Sequence, residues 1–204
     1  MPSPESIKAH LSNDPKLAPL ITDLPFPVFD PNRKVYTSLL NSIVSQQLST
    51  KAAATIHERF LNLFPDQVVD AEELMSMSTE LLRSVGLSRQ KSSYIHNVTE
   101  FFLEEKLLDF DWSNWSDDEV IKKLTSIKGV GKWTVEMVLM FTLNRPNILP
   151  VDDLGIQQAF EKLYDLDLKQ KKKQLHQAMF EIARPWEPYR TYASVYLWRY
   201  KDSK

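Results

Sequence analysis

Along most of the chain apolar residues recur at three- and four-residue spacing, and the gaps between these runs hold residues that start and stop helices. In "KVYTSLLNSIVSQQLSTKAAATIHERFLNLF" (34–64), Tyr36, Leu39, Leu40, Ile43 and Val44 mark one helical face. Ser49 or Thr50 stands where the N-cap of a second helix belongs, with the polar "SQQLS" at the junction. Asp70 opens a short helix, Ser78 caps "TELLRSV", Gly86 ends it as a C′ glycine, and Ser88 caps "RQKSSYIHNVTEFFLEE". Ser116, with Glu119 three residues on, forms a capping box. Further helices follow over 132–143, from Asp152 or Asp153, over "DLKQKKKQLHQAMFEIA", and in the aromatic-rich end of "RPWEPYRTYASVYLWRY". The first residues predict a short helix over 3–13. A proline-punctuated loop follows, "LITDLPFPVFDP", with Phe26 and Phe29 as core anchors. No stretch alternates as a strand would, so the pattern predicts an all-α protein of about ten helices.

Composition narrows this picture. The 204 residues suffice for one sizeable domain or two small lobes, and only four are glycine, which disfavours a turn-rich β architecture. The absence of cysteine excludes disulfides, thiolate metal sites, iron–sulfur clusters and a cysteine nucleophile. "MPSPESIKAH" lacks a basic n-region and an apolar h-region, and no segment reaches the ~18 apolar residues of a membrane span, so an intracellular protein is expected. The net charge of −2 excludes a broad basic field, so any nucleic-acid contact must be local.

Two of the four glycines, Gly129 and Gly131, flank Val130 in "SIKGVGKWTVEMVLMF", just before a helix. Glycine permits positive φ and lets another backbone approach. The unpaired amides of the turn and of the next helix's first turn, at the positive end of its dipole, form an anion site, with Lys128 and Lys132 beside it. A helical corner that merely packs would look similar. Twenty residues after Trp133 stands Asp153, in "LPVDDLGI", where it and Asp152 are two adjacent carboxylates at a helix start. Taken alone, either aspartate is an N-cap.

Hairpin, helix, P-V-D-D and helix in this order resemble the helix-hairpin-helix (HhH-GPD) DNA glycosylases. "GKW" and "DDLG" are most similar to their 3-methyladenine DNA glycosylase II family. "SIVSQQLS", "GLSRQKSSYI" and "RPWEPYRTYASVYLWRY" extend the likeness over about residues 36–200. The resemblance implies an all-α, two-lobed fold with the active-site cleft between the lobes. One lobe would cover about 36–144, including the hairpin 124–133, and the other 1–35 plus 145–204. Larger members carry an added N-terminal β-domain; this sequence corresponds to the helical core.

The resemblance implies base excision repair: an alkylated purine of the 3-methyladenine or 7-methylguanine type is flipped from duplex DNA and its N-glycosidic bond hydrolysed. Asp153 is the implied catalyst and Asp152 the fallback, the other of the pair capping the helix. Trp133 stands where bifunctional relatives have a Schiff-base lysine, and Lys132 lies one helical step, ~100°, away. A monofunctional enzyme that leaves an abasic site is therefore expected. Trp133, Met137 and Trp198 form the implied base pocket, with cation–π attraction for a charged purine. Amides around Gly129, Val130, Gly131, Lys132 and Thr134 would hold a phosphate. The carbonyls of Thr125, Ile127 and Val130 would bind Na⁺ or K⁺, and the chemistry needs no cofactor. Gln47 would fill the hole left by the flipped base, with Gln46 and Leu48 as its neighbours, while Ser45, Ser49 and Lys51 touch the backbone. The implied partner is double-stranded DNA carrying alkylated bases, met by a monomer in a bacterial cytoplasm or eukaryotic nucleus. "KQKKKQ" (169–174) reads as a solvated helix face rather than a DNA patch, and the four histidines have no metal spacing. A non-catalytic hairpin DNA-binding module, a helical protein–protein adaptor, and a glycosylase for deaminated or oxidised bases remain the alternatives.

Overall fold

The computed structural model describes residues 2–202, and these contain twelve α-helices and no strand. They are α1 (Pro4–Leu11), α2 (Ala18–Asp23), α3 (Val35–Ser45), α4 (Thr50–Leu61), α5 (Ala71–Ser76) and α6 (Thr79–Ser84). Then come α7 (Arg89–Glu104), α8 (Asp117–Leu124), α9 (Lys132–Phe141), α10 (Leu154–Tyr164), α11 (Lys172–Ile182) and α12 (Arg190–Asp202). Side-chain caps at Ser3, Ser49, Asp70, Ser78, Ser88 and Ser116 begin α1, α4, α5, α6, α7 and α8, each accepting a first-turn amide. Glu119 closes the capping box of α8 on the Ser116 amide at 2.8 Å. At α2 the structure departs from the loop expected over "LITDLPFPVFDP", whose first four residues are helical. Pro19 of α2 lies in the first helical turn, where the missing amide has no helical partner to lose.

The chain divides into two compact units: Asp30–Leu143, and the segments on either side of it. In Asp30–Leu143, α3 buries Val35, Tyr36, Leu39, Leu40, Ile43 and Val44 and packs against α4, α7 and α9. The Tyr36 hydroxyl shares a 3.1 Å hydrogen bond with Thr99 of α7, and burial pushes its phenol up to about 12. Lys91 of α7 donates 2.7 Å to the Val44 carbonyl in the last turn of α3, where a cation complements the helix dipole. Partial burial lowers the pKa of that ammonium from its ordinary value.

The other unit packs α1 and α2 with α10, α11 and α12. Its core includes Leu11, Leu17, Ile156, Phe160, Met179, Trp186, Tyr196 and Leu197. Asp14 knots it together. Its Oδ2 accepts from the Tyr164 hydroxyl and the Trp186 indole, both at 2.8 Å, while Oδ1 accepts the Lys16 and Leu17 amides. Burial, then the bond to Asp14, raise the pKa of the Tyr164 phenol. Thr191 of α12 donates 2.6 Å to the Arg145 carbonyl and accepts 3.0 Å from the Ile148 amide, holding the segment that leads into the "PVDD" turn.

Candidate active site

The turn between α8 and α9 is built from both sides. Thr125 ends α8 and donates 2.6 Å to the Ile121 carbonyl, Ile127 and Val130 are buried, and the Val130 amide donates 3.0 Å to the Ile127 carbonyl. Asn97 of α7 donates 3.0 Å to the Lys128 carbonyl. The two glycines differ. Gly129 has φ +104°, and a Cβ there would lie 2.2 Å from the Tyr94 ring, so the fold itself demands glycine. Gly131, the N-cap of α9, has φ −93° and nothing within 4 Å of an added Cβ. The fold does not require glycine there. What a Cβ would obstruct is an approach from outside, onto a helix start whose N-cap has no side chain to accept its amides.

The carbonyls of Thr125, Ile127 and Val130 are hard oxygen donors of the kind that Na⁺ or K⁺ takes, and Ile127, bonded once, keeps a second lone pair. Among the described residues no group of three or more His, Asp or Glu could hold a metal.

On α9, Lys132 reaches the buried carboxylate of Glu136 at 3.3 Å. Trp133 is a large apolar side chain left 40% exposed, while Thr134 beside it is buried. Trp133 and Met137 line a cavity of about 710 Å³ together with Arg33, Asn41, Ser45, Gln46 and Gln47. Within one unit the structure therefore brings the aromatic wall of α9 to the "SQQLS" turn. Gln47 is exposed with φ +56°, a left-handed conformation uncommon outside glycine, and Leu48 beside it is exposed as well. The Ser49 hydroxyl is engaged as the α4 cap, and Lys51 is exposed. The signal missed in the sequence is Lys91, whose bond to Val44 anchors the α3 end from which this turn departs.

In the other unit Asp153 is the N-cap of α10. Its Oδ1 accepts from the Ile156 amide and from the Trp198 indole Nε1, both at 2.8 Å. Gly155 makes this possible, since a Cβ there would lie 3.1 Å from Asp153 Oδ1, 3.1 Å from Trp198 Cδ1 and 3.3 Å from its Nε1. The indole thus serves as a hydrogen-bond donor that sets a carboxylate. Asp152 is turned to α11, with Lys172 Nζ 2.6 Å and His176 Nε2 3.4 Å from its Oδ1. This corrects the division of labour read from the sequence: Asp153, the implied catalyst, is itself the cap, and Asp152 is held by an ion pair.

An all-helical molecule carrying a helix-hairpin-helix and a buttressed carboxylate at a helix start is the class that fold and site define. The family model for the HhH-GPD superfamily base excision DNA repair protein matches residues 40–185. The chain is 35% identical to the putative DNA-3-methyladenine glycosylase YfjP of Bacillus subtilis over 81% of its own length, spanning 58% of that relative. It is also 35% identical to DNA-3-methyladenine glycosylase 1 of Schizosaccharomyces pombe, with 84% of this chain and 76% of the relative covered. Among solved structures, the S. pombe 3-methyladenine DNA glycosylase Mag1 in complex with abasic DNA is similar with a TM-score of 0.82 at 30% identity, covering 98% of this chain and 100% of that one. The chain belongs to the HhH-GPD superfamily of base excision DNA repair proteins.

Proposed function

We propose that the protein is a monofunctional DNA glycosylase of base excision repair. It hydrolyses the N-glycosidic bond of alkylated purines of the 3-methyladenine and 7-methylguanine type, and leaves an abasic site. The observation that carries the reading is the Asp153 carboxylate, held through Oδ1 by a helix amide and the Trp198 indole at 2.8 Å each. Breaking the bond from sugar to base builds positive charge on the sugar. A preorganised carboxylate stabilises that charge and orients or deprotonates the attacking water. The names of the relatives, 3-methyladenine glycosylases of bacteria and yeasts, support the substrate class.

Each unit contributes separately. The hairpin offers first-turn amides of α9 and an open Gly131 to a phosphate, with the carbonyls of Thr125, Ile127 and Val130 as holders of an alkali cation that would add positive charge there. Trp133 and Met137 offer the face for a flipped, positively charged base, and the left-handed Gln47 is the group to enter the vacated stack. Tryptophan at 133 supplies no amine, and Lys132 is engaged by Glu136 at 3.3 Å, so no Schiff base forms and the strand is not nicked. Water and a carboxylate suffice, without a cofactor. Duplex DNA is the partner, and the protein acts as a monomer in the compartment that holds the DNA. Among the described residues, no helix is long and apolar enough to cross a membrane.

The test is incubation with methylated duplex DNA, scoring released bases by chromatography and strand breaks before and after alkali, beside Asp153→Asn and Asp152→Asn. Release of alkylated purines with alkali-labile but unnicked strands, lost by about 10²-fold or more in Asp153→Asn, is expected. Asparagine also caps helices, so that loss comes without unfolding. Loss confined to Asp152→Asn would move the catalyst by one residue. No release by the unaltered protein would refute the reading.

A further inference from the structure

The lysine run 169–174 is unexplained by the fold. Lys171 is the N-cap of α11 and Lys172 and Lys173 are its first residues, so cations sit at the positive end of the helix dipole, and no side chain caps the helix. Each such charge works against the helix. From Leu168 to Phe180 there is no acidic residue. Of the two before the run, Asp165 is paired with Lys16 at 3.3 Å, and Asp167 accepts the Lys169 amide at 2.8 Å. Lys169, Lys171 and Lys173 are exposed and make no ion pair among the described residues. Lys172 alone is engaged, and its partner is Asp152, the neighbour of Asp153. Thus the ion pair docks a cationic helix start beside the turn that carries the catalytic carboxylate, and it masks the second carboxylate of that turn.

We infer that Lys169, Lys171 and Lys173 form a second, electrostatic contact to DNA, taking backbone phosphates of the strand whose damaged nucleotide reaches Asp153. The inference rests on the glycosylase reading and names a surface outside the hairpin. It reverses the sequence expectation of a solvated helix face. It also answers how a chain of net charge −2 holds a polyanion near a carboxylate: positive charge is concentrated where the carboxylate needs it.

The experiment measures the Kd for a short labelled duplex with a stable abasic-site analogue across a salt series. It compares the unaltered protein, Lys169→Gln/Lys171→Gln/Lys173→Gln, and the same three positions changed to Arg. Lys172 is left in place. Three lost phosphate contacts lower the slope of log K on log salt by about 2.7, which between 50 and 200 mM salt is roughly a 40-fold difference in affinity loss. The glutamine variant should show weaker binding at low salt, the shallower slope, and a Tm no lower than the parent, because the removed charges opposed the helix dipole. The arginine variant should keep the parent's slope. An unchanged slope in the glutamine variant, beside a parent that binds and excises, overturns the surface alone, as does an arginine variant as impaired as the glutamine one. A parent that neither binds nor excises overturns the surface together with the glycosylase reading.

Discussion

Gly155→Ala tests whether the Asp153–Trp198 contact governs the chemistry. Glycine at the start of α10 is not held there by a left-handed backbone, so alanine is conformationally permitted and favours the helix by about 0.5–1 kcal/mol. Its Cβ, however, would meet Asp153 Oδ1 and Trp198 Cδ1 at 3.1 Å and Nε1 at 3.3 Å. Ordinary contact begins a few tenths of an ångström further out, so either the indole or the carboxylate retreats by that much and the 2.8 Å hydrogen bond lengthens. A hydrogen bond to a charged group is worth about 1.5–3 kcal/mol net, and losing part of it offsets the helical gain, leaving stability within about 1 kcal/mol of the parent. Catalysis has no such offset. At about 10²-fold per ångström of misplacement, a shift of a third of an ångström costs roughly fivefold in rate. Single-turnover base release and a thermal melt, run side by side, should therefore separate: a slower reaction at nearly constant Tm. Trp198→Phe removes the donor and the obstructed indole edge but leaves the approach of the Cβ to Asp153 Oδ1, so Gly155→Ala should cost less on that background than in the parent. A full rate with a raised Tm in Gly155→Ala would show that the contact is packing only, and the positioning argument would be wrong.

The hairpin glycines should part company. Gly129→Ala drives a Cβ into the Tyr94 ring at φ +104° and should lower stability by about 1–3 kcal/mol, seen as a lower Tm, whereas Gly131→Ala should keep the parent's Tm and weaken DNA binding. Stability should also fall above pH 10. The Tyr36 phenol is raised to about 12 in the folded protein, so between 10 and 12 the native state holds a proton that the unfolded chain releases, costing about 1.4 kcal/mol per pH unit. Melts across that range should show a flatter decline in Tyr36→Phe, and parallel curves would refute the assignment. Trp133→Ala should lower release of cationic 7-methylguanine by about 2- to 30-fold, the worth of a cation–π contact of 0.5–2 kcal/mol, and spare neutral hypoxanthine. Equal losses for both bases would count against a cationic substrate.

What could be read in advance was local. Ser78, Ser88, Ser116 and Asp70 announce their helices because cap and amide lie within three residues of each other. The family likeness rests on short segments in order, and it carried the catalytic expectation to "VDDLG". What stayed hidden depends on partners far away in sequence. Gly155 makes room for Trp198, 43 positions on, and nothing in "DDLGI" says that the glycine serves an indole. Whether Asp152 or Asp153 capped α10 turned on Lys172 and His176 in another helix. Gly129 is required by Tyr94, and the anchor of the "SQQLS" turn is Lys91, 47 residues after Val44. The left-handed Gln47 lies in a stretch without glycine, asparagine or proline, so no turn chemistry foretold it. Helix α2 was concealed by the prolines that follow it, Pro25, Pro27 and Pro31, which mark the stretch from Leu20 onward as a loop.

The division of the chain has a temporal consequence. Asp30–Leu143 is contiguous and carries its own core, whereas the unit around Asp14 needs both flanks: α1 and α2 from before residue 30, and α10 to α12 from after residue 143. During translation at about 5–20 residues per second, the ribosome needs roughly 3–11 s to pass from Leu143 to Trp198. Through that interval the nascent hairpin can close while the first two helices wait, their apolar faces without a counterpart. Trp186, which donates to Asp14, and Trp198, which donates to Asp153, both emerge late. Trp186 and the last helix are thus the late parts that close on the waiting segment and hold the Asp153 carboxylate, so a nascent chain released before them would carry the hairpin with that carboxylate unset.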